Sequence, residues 1–99
     1  MIRHIVAWRL RSEDPAEKDA AVKGIRERLS ALVGVVPGLR SVSVGRDLGL
    51  VEDHWDVVLV SEHDDNAALE GYQTHEAHRT AAAWIAQQVS DRVAVDYEL

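Results

Sequence analysis

Apolar and polar residues alternate along four segments of the chain, and between these segments the apolar residues recur every three or four positions. Alternation with a period of two is typical of a strand, and the longer spacing is typical of an amphipathic helix. The alternating segments predict four strands, at Ile2 to Leu10, Leu39 to Asp47, Trp55 to Ser61 and Arg92 to Glu98. One helical region follows the first strand, and another follows the third.

The first helical region carries a clear start signal. Asp14 is a favourable N-cap residue, and Pro15 directly after it is preferred at the first helical position. Apolar residues then recur at helical spacing as far as Val33, which a glycine follows. We therefore predict the first helix from Pro15 to about Val33.

The second helical region consists of two pieces. A short helix is predicted after the capping residues Asp64 to Asn66, and a longer one begins at about Glu76. The two pieces meet near Thr74. Their apolar stripe is predicted to contain Ala68, Leu69, Tyr72, His78, Ala81, Ala82, Ile85 and Val89.

The order of the elements is β-α-β-β-α-β, which predicts the ferredoxin-like α+β fold. In this fold the sheet is antiparallel, the first and third strands lie in the middle, and the second and fourth form the edges. The first and third strands have apolar residues on both faces, as strands covered on two sides do. Because helices cover only one face of such a sheet, we predict a homodimer formed through the other face.

Composition narrows the class of protein. The 99 residues, 46% of them apolar, suffice for one domain over residues 1–99. A net charge of -6 without a cluster of lysines and arginines argues against nucleic acid and anionic membranes as partners. The chain has no cysteine, and neither a signal peptide nor a membrane-spanning segment is predicted, so we expect a cytoplasmic protein.

Candidate chemistry is concentrated between Tyr72 and His78. This segment contains two of the five histidines and one of the two tyrosines. His75 and His78 are three residues apart, whereas the zinc motif His-Glu-x-x-His separates its ligands by four. A looser metal site that includes His4 stays open, but the spacing argues against a metal.

Tyr72 and His78 allow two interpretations. In the structural one, His78 is a partly buried histidine with satisfied hydrogen bonds, and the ring of Tyr72 packs in the core. In the functional one, Tyr72 donates a hydrogen bond while His78 acts as a general base beside a carbonyl group. The two side chains would point about 120° apart on one unbroken helix, so the functional interpretation requires a helix break at Thr74.

His4 lies on the same face of the first predicted strand as Ile2 and Val6. A polar side chain at such a position needs a hydrogen-bond partner or a cavity. We therefore predict a small cavity between the sheet and the second helical region. Its predicted lining is His4, Trp8, Tyr72, His75 and His78. In the functional interpretation Tyr72 and His78 are the catalytic pair, and His4, Trp8 and His75 bind the substrate.

Four segments carry a resemblance to a known family: Met1 to Trp8, Asp56 to Glu62, the motif Tyr72-x-x-His75-x-x-His78, and Ser90 to Tyr97. Together they resemble the stress-responsive α/β-barrel (Dabb) family over essentially the whole chain. The resemblance implies a dimer in which the sheets of two ferredoxin-like protomers face each other as a barrel. Members of the family include a stress-linked plant oligomer and a plant polyketide cyclase that needs no metal or cofactor.

The catalytic pair of that cyclase corresponds to Tyr72 and His78, and its pocket histidines correspond to His4 and His75. The resemblance implies an aldol cyclisation or isomerisation of a β-keto substrate. His78 would take a proton from a carbon between two carbonyls, and Tyr72 would bind the developing enolate oxygen.

One position departs from the family pattern and another from the cyclase. Glu76 stands where a proline is usual, and Asp56 stands where the cyclase has another pocket histidine. Two alternatives to the cyclase interpretation stay open. One is a non-catalytic homodimer that binds a small ligand or has a stress-linked structural role, and the other, by fold analogy alone, is a haem or quinol oxygenase.

Overall fold

The computed structural model describes residues 1–99, which form four strands and three helices. None of the helices combines the length and the apolar character needed to cross a membrane. The strands are β1 (Ile2–Leu10), β2 (Leu39–Arg46), β3 (Val57–His63) and β4 (Val89–Glu98). The helices are α1 (Pro15–Ser30), α2 (Asn66–Thr74) and α3 (Glu76–Gln88).

The starts of α1 and α2 follow the capping residues of the sequence. The carboxylate of Asp14 accepts a hydrogen bond from the backbone N–H of Glu17, and Pro15 occupies the first turn. The carboxylate of Asp65 accepts one from the backbone N–H of Ala68. Each carboxylate satisfies an N–H that has no partner within its own helix.

Several element boundaries differ from the prediction. The helix α1 ends at Ser30 rather than Val33, and β3 lies two residues later than expected, at Val57–His63. Val89, which was predicted on the apolar stripe of the second helical region, is instead the first residue of β4. It is buried and pairs with Leu10 beside a β-bulge. An apolar residue at a helix-to-strand junction fits either element, so the pattern alone could not place it.

The four strands form one antiparallel sheet in the order β2-β3-β1-β4. The predicted ferredoxin-like α+β fold, with the first and third strands in the middle, is therefore confirmed. Residues directly opposite each other on neighbouring strands point to the same face. His4 on β1 lies between Ser61 on β3 and Asp96 on β4, so these three side chains share the face that carries the helices.

The helices cover one face of the sheet, which we call the inner face. Val6 and Leu59 on this face are buried together with Ile25 and Leu29 of α1 in one hydrophobic core. Each of these side chains is at most 2% exposed, which is the degree of burial that makes a core side chain costly to truncate.

The contact between α1 and α3 depends on a glycine. The ring of Trp84 on α3 lies so close to Gly24 on α1 that a Cβ at position 24 would overlap with it. The guanidinium of Arg28 lies 3.6 Å from the centre of the Trp84 ring on the same side. Gly24 therefore sets how closely the two helices approach.

The other face of the sheet, which we call the outer face, is covered by no part of the chain. Val58, Val93, Val95 and Tyr97 point to this face and are between 37% and 59% exposed. They lie around the half-buried Ile5 of β1, which pairs with Val95. The outer face is thus an apolar surface exposed in the isolated protomer.

Candidate functional site

A cavity of about 380 Å³ opens between the inner face of the sheet and the helices α2 and α3. Its volume is within the range of small-molecule sites. The polar lining includes His4, Tyr72 and His78. The apolar lining includes Val6, Trp8, Leu29, Leu59, Ile85 and Val89. Four of the five side chains predicted to form the cavity therefore do line it, and His75 does not.

A helix break brings Tyr72 and His78 together. The helix α2 ends at Thr74, and His75 adopts an extended conformation (φ -63°, ψ 137°) before α3 begins. The Nδ1 atom of His75 accepts a hydrogen bond from the backbone N–H of Ala77 and so caps α3. The ring centres of Tyr72 and His78 are 4.3 Å apart. The break that the functional interpretation requires is therefore present.

The hydroxyl of Tyr72 is buried and has no hydrogen-bond partner within the protein. The whole side chain is 0% exposed, and its burial raises the pKa of the phenol to about 12. The group therefore stays protonated at neutral pH and keeps its proton for donation. A buried hydroxyl without a partner is unusual in a folded protein, because it loses the hydrogen bonds that water provides in the unfolded chain.

His78 is half-buried, and its burial lowers the pKa of its imidazole below 6.5. Its Nδ1 atom lies 3.3 Å from the carbonyl oxygen of Gln73. Because a carbonyl only accepts, the neutral ring carries its proton on Nδ1 and leaves a lone pair on Nε2. A neutral imidazole with a free nitrogen beside a cavity has the properties of a general base.

His4 is held by a carboxylate from the neighbouring strand. The residue is 3% exposed, and its Nδ1 atom donates a hydrogen bond to Asp96 on β4. Asp96 is directly opposite His4 in the sheet, so the contact follows from the strand register. The bond orients the ring of His4 and leaves its Nε2 atom for another partner.

The family model of the stress-responsive A/B barrel (Dabb) domain matches residues 2–99. The chain belongs to the Dabb family. None of the curated proteins matches it significantly. The matched region contains the whole site, from His4 near its start through Tyr72 to Asp96 near its end.

Solved structures with the same fold come from several organisms. A dimeric ferredoxin-like protein of unknown function from Bacteroides fragilis is 30% identical with a TM-score of 0.87, and the match covers 99% of this chain and 95% of that one. A similar dimeric protein from Thermobifida fusca is 32% identical with a TM-score of 0.79, and the match covers 99% and 90%.

A hydroxynitrile lyase from Passiflora edulis is more distant. It is 20% identical with a TM-score of 0.78, and the match covers 97% of this chain and 90% of that one. At this identity the likeness establishes a shared fold and does not transfer the activity.

Glu76, which replaces the usual family proline, and Asp56, which replaces a histidine of the cyclase, have different consequences. Glu76 is the first residue of α3, and the helix is interrupted at His75 even though the usual proline is absent. Asp56 does not line the cavity: its carboxylate accepts a hydrogen bond from the backbone N–H of Leu10 and lies 3.5 Å from the amine of Lys18. Asp56 therefore connects the ends of β1 and β3 in this Dabb protein.

His63 was not singled out from the sequence, although it belongs to the same cluster. It is 0% exposed, its ring centre lies 4.8 Å from that of Tyr72, and its Nε2 atom shares a 2.9 Å hydrogen bond with the hydroxyl of Ser61. Burial lowers the pKa of His63, and the nearby His4 lowers it further. Alternation along β3 could have revealed it from the sequence, because His63 lies two residues after Ser61 and therefore on the same buried face of the strand.

Arg92 and Arg11 also line the cavity and were not predicted. Arg92 is directly opposite Trp8 in the sheet, which places it on the inner face. Metal binding gains no support from the geometry, because no three histidine, aspartate or glutamate side chains are placed to hold an ion. The site thus contains a phenol, imidazoles and guanidinium groups around an apolar cavity.

Proposed function

We propose that this protein is a cofactor-free enzyme that removes a proton from carbon next to a carbonyl group of a small substrate, leading to aldol cyclisation or isomerisation. The observation that carries the proposal is the contact between the rings of Tyr72 and a neutral His78, together with the buried hydroxyl of Tyr72, which has no hydrogen-bond partner. Removing this proton from a β-keto compound requires one group that takes the proton and one that stabilises the enolate oxygen. Both side chains line the cavity, and in this proposal His78 takes the proton while Tyr72 stabilises the enolate oxygen.

The Nε2 atom of His78 takes the proton from carbon, and the electron pair of the C–H bond moves to the carbonyl, whose oxygen accepts a hydrogen bond from Tyr72. In an aldol step the enolate carbon then forms a bond to a second carbonyl carbon, and the oxygen of that carbonyl receives the proton from His78. In an isomerisation the proton returns to a different carbon.

His4 would act as a binding group in this reaction. Its Nδ1–H is used by Asp96, so its Nε2 atom accepts rather than donates when the ring is neutral. An acceptor in this position suits the hydroxyl of an enol or of the aldol product. Trp8 and Val6 beside it would hold the apolar part of the substrate.

Deuterium exchange into acetylacetone in D₂O, followed by proton NMR, tests the proposal without knowledge of the natural substrate. We expect the protein to accelerate exchange above the buffer rate, and Tyr72→Phe and His78→Ala to lower the protein-dependent rate by about 100-fold or more. Tyr97→Phe and His54→Ala are matched controls, because neither residue lines the cavity. Equal rates in all five proteins would remove the proposal.

We propose in addition that two protomers associate through the outer face. The support is the exposed apolar surface around Val95, together with the dimeric state of the relatives from Bacteroides fragilis and Thermobifida fusca. Association would cover the apolar middle of β1 and β3, which the helices leave open. The cavity lies on the opposite side of the sheet, so each protomer would keep its own site.

The alternative of a non-catalytic protein with a purely structural role predicts that the histidines only connect helix and sheet, with no space between them. A cavity of about 380 Å³ and an unsatisfied hydroxyl count against it, because a purely structural cluster gains stability by closing the cavity and pairing the hydroxyl.

A further inference from the structure

Arg92 lines the cavity without a partner for its guanidinium group. It forms no ion pair, hydrogen bond or ring contact within the chain, whereas Arg3, Arg40 and Arg46 all pair with carboxylates. The only other arginine without such a contact is Arg79, which is exposed on α3 and does not line the cavity. An unpaired guanidinium beside a ligand-sized cavity is free to bind an anionic group.

The charge of Arg92 reaches the reacting pair. Burial raises the pKa of Tyr72, and the positive charge of Arg92 opposes that rise. Burial lowers the pKa of His78, and Arg92 is among the positive charges that lower it further. Arg92 lines the same cavity as both side chains, so its guanidinium can act on a molecule that contacts them.

The positive charge in the cavity lining contrasts with the net charge of the whole chain, which is -6. Arg11 lines the same cavity and uses one N–H for a long hydrogen bond, 3.4 Å, to the carbonyl oxygen of Ala86. Asp91 is the one carboxylate in the lining, and it accepts a hydrogen bond from Ser90. Arg92 and Arg11 together leave an excess of one positive charge in the lining.

We propose that the substrate carries a carboxylate at the end remote from its reacting carbon, and that Arg92 binds this carboxylate. Arg92 is exposed and Tyr72 is fully buried, so the carboxylate would lie at the open side of the cavity and the carbonyl groups at the inner end. The planar guanidinium matches the two oxygens of a carboxylate. The substrate class is then a β-diketone chain with a terminal carboxylate.

This inference rests on the proposed function and adds the substrate class to it. The carboxylate takes no part in proton transfer: it stays ionised, and its two oxygens accept from Arg92 throughout. Its role is to fix the distance from the open side to the carbon whose proton His78 removes.

Succinylacetone, a β-diketone with a terminal carboxylate, and its methyl ester are a matched pair of probes. We expect titration calorimetry to show binding of the acid on the order of tenfold tighter than binding of the ester. Arg92→Gln should abolish this preference, and Arg79→Gln should leave it unchanged. Arg92 has no partner to lose, so its substitution should leave the fold intact. Added salt should weaken binding of the acid more than binding of the ester.

The results separate this inference from the proposed function. Equal affinity for the two probes, no binding of the acid, or a preference that persists in Arg92→Gln would overturn the carboxylate site even if acetylacetone exchange is accelerated. A preference that depends on Arg92, in a protein that accelerates no exchange, would support the carboxylate site and remove the acid–base proposal.

Discussion

The rings of Tyr72 and His78 are in contact, with 4.3 Å between their centres, although an unbroken helix would point the two side chains about 120° apart. One extended residue, His75, produces this contact by ending α2 and starting α3. The geometry of the proposed acid–base pair therefore depends on the backbone of a residue that does not line the cavity.

The first prediction concerns His75 as a helix cap. Its Nδ1 atom satisfies the N–H of Ala77, so His75→Ala should lower the free energy of unfolding by about 1 kcal/mol. His75→Asp should restore most of this loss, because aspartate is a good N-cap and carries a charge favoured at a helix start. Urea unfolding of the three proteins measures the effect.

The same variants test His75 as a substrate-binding residue, which is how it was predicted from the sequence. If His75 acts only as a helix cap, the His75→Asp protein should bind succinylacetone as the wild type does. Unchanged stability in both variants, with weaker probe binding, would show that His75 contacts the substrate instead.

The second prediction compares two helical glycines. A Cβ at Gly24 would overlap with the Trp84 ring, so Gly24→Ala should lower the free energy of unfolding by about 1 to 3 kcal/mol despite the better helix propensity of alanine. At Gly71 of α2 no atom lies within 4 Å of the added Cβ, and Gly71→Ala should stabilise by about 0.5 to 1 kcal/mol. A stabilised Gly24→Ala protein would contradict the observed approach of α1 and α3.

The third prediction concerns stability and pH. Burial lowers the pKa of His63 and of His78 below 6.5, so below this pH the unfolded chain binds protons that the folded protein does not. Stability should therefore be retained above about pH 6.5 and fall as the pH drops through the lowered values. Because Gln does not titrate, His63→Gln should show a smaller loss between about pH 8 and pH 5 in urea unfolding. An equal loss in both proteins would contradict the burial of a neutral His63.

The order of elements and the arrangement of the sheet could be predicted from the sequence, because the alternation in Ile2 to Leu10 and the caps at Asp14 and Asp65 are local signals. The cavity residues His4 and Trp8 could be predicted for the same reason, since their parity on β1 places them with buried neighbours. The contact between Tyr72 and His78 could be stated only as a condition, because it depends on backbone torsions at one residue.

Asp96 and Arg92 were not singled out, because alternation reveals the two faces of a strand but does not show which face points to the helices. The charged even positions of β4 turned out to lie on the inner face, while Val93 and Val95 point to the outer face. His63 was missed for a simpler reason, since the predicted strand ended two residues before it. For Asp96 and Arg92, the long-range pairing of β4 with β1 decides which face they occupy.

The fourth prediction concerns the outer face. Val95 is 59% exposed there, so Val95→Glu should leave the protomer folded and shift the protein from dimer to monomer. Light scattering after size-exclusion chromatography measures the mass. Arg79→Glu introduces the same residue on α3 and should leave the dimer intact. A monomeric wild type, or a dimer unaffected by Val95→Glu, would contradict the proposed interface.

The pH dependence of acetylacetone exchange tests most directly the claim that a neutral His78 is the base. Because burial lowers the pKa of His78, the protein-dependent rate should fall on the acidic side with a midpoint below 6.5, and this fall should be absent from the residual rate of His78→Gln. A midpoint at or above 6.5, or the same fall in His78→Gln, would show that another group removes the proton.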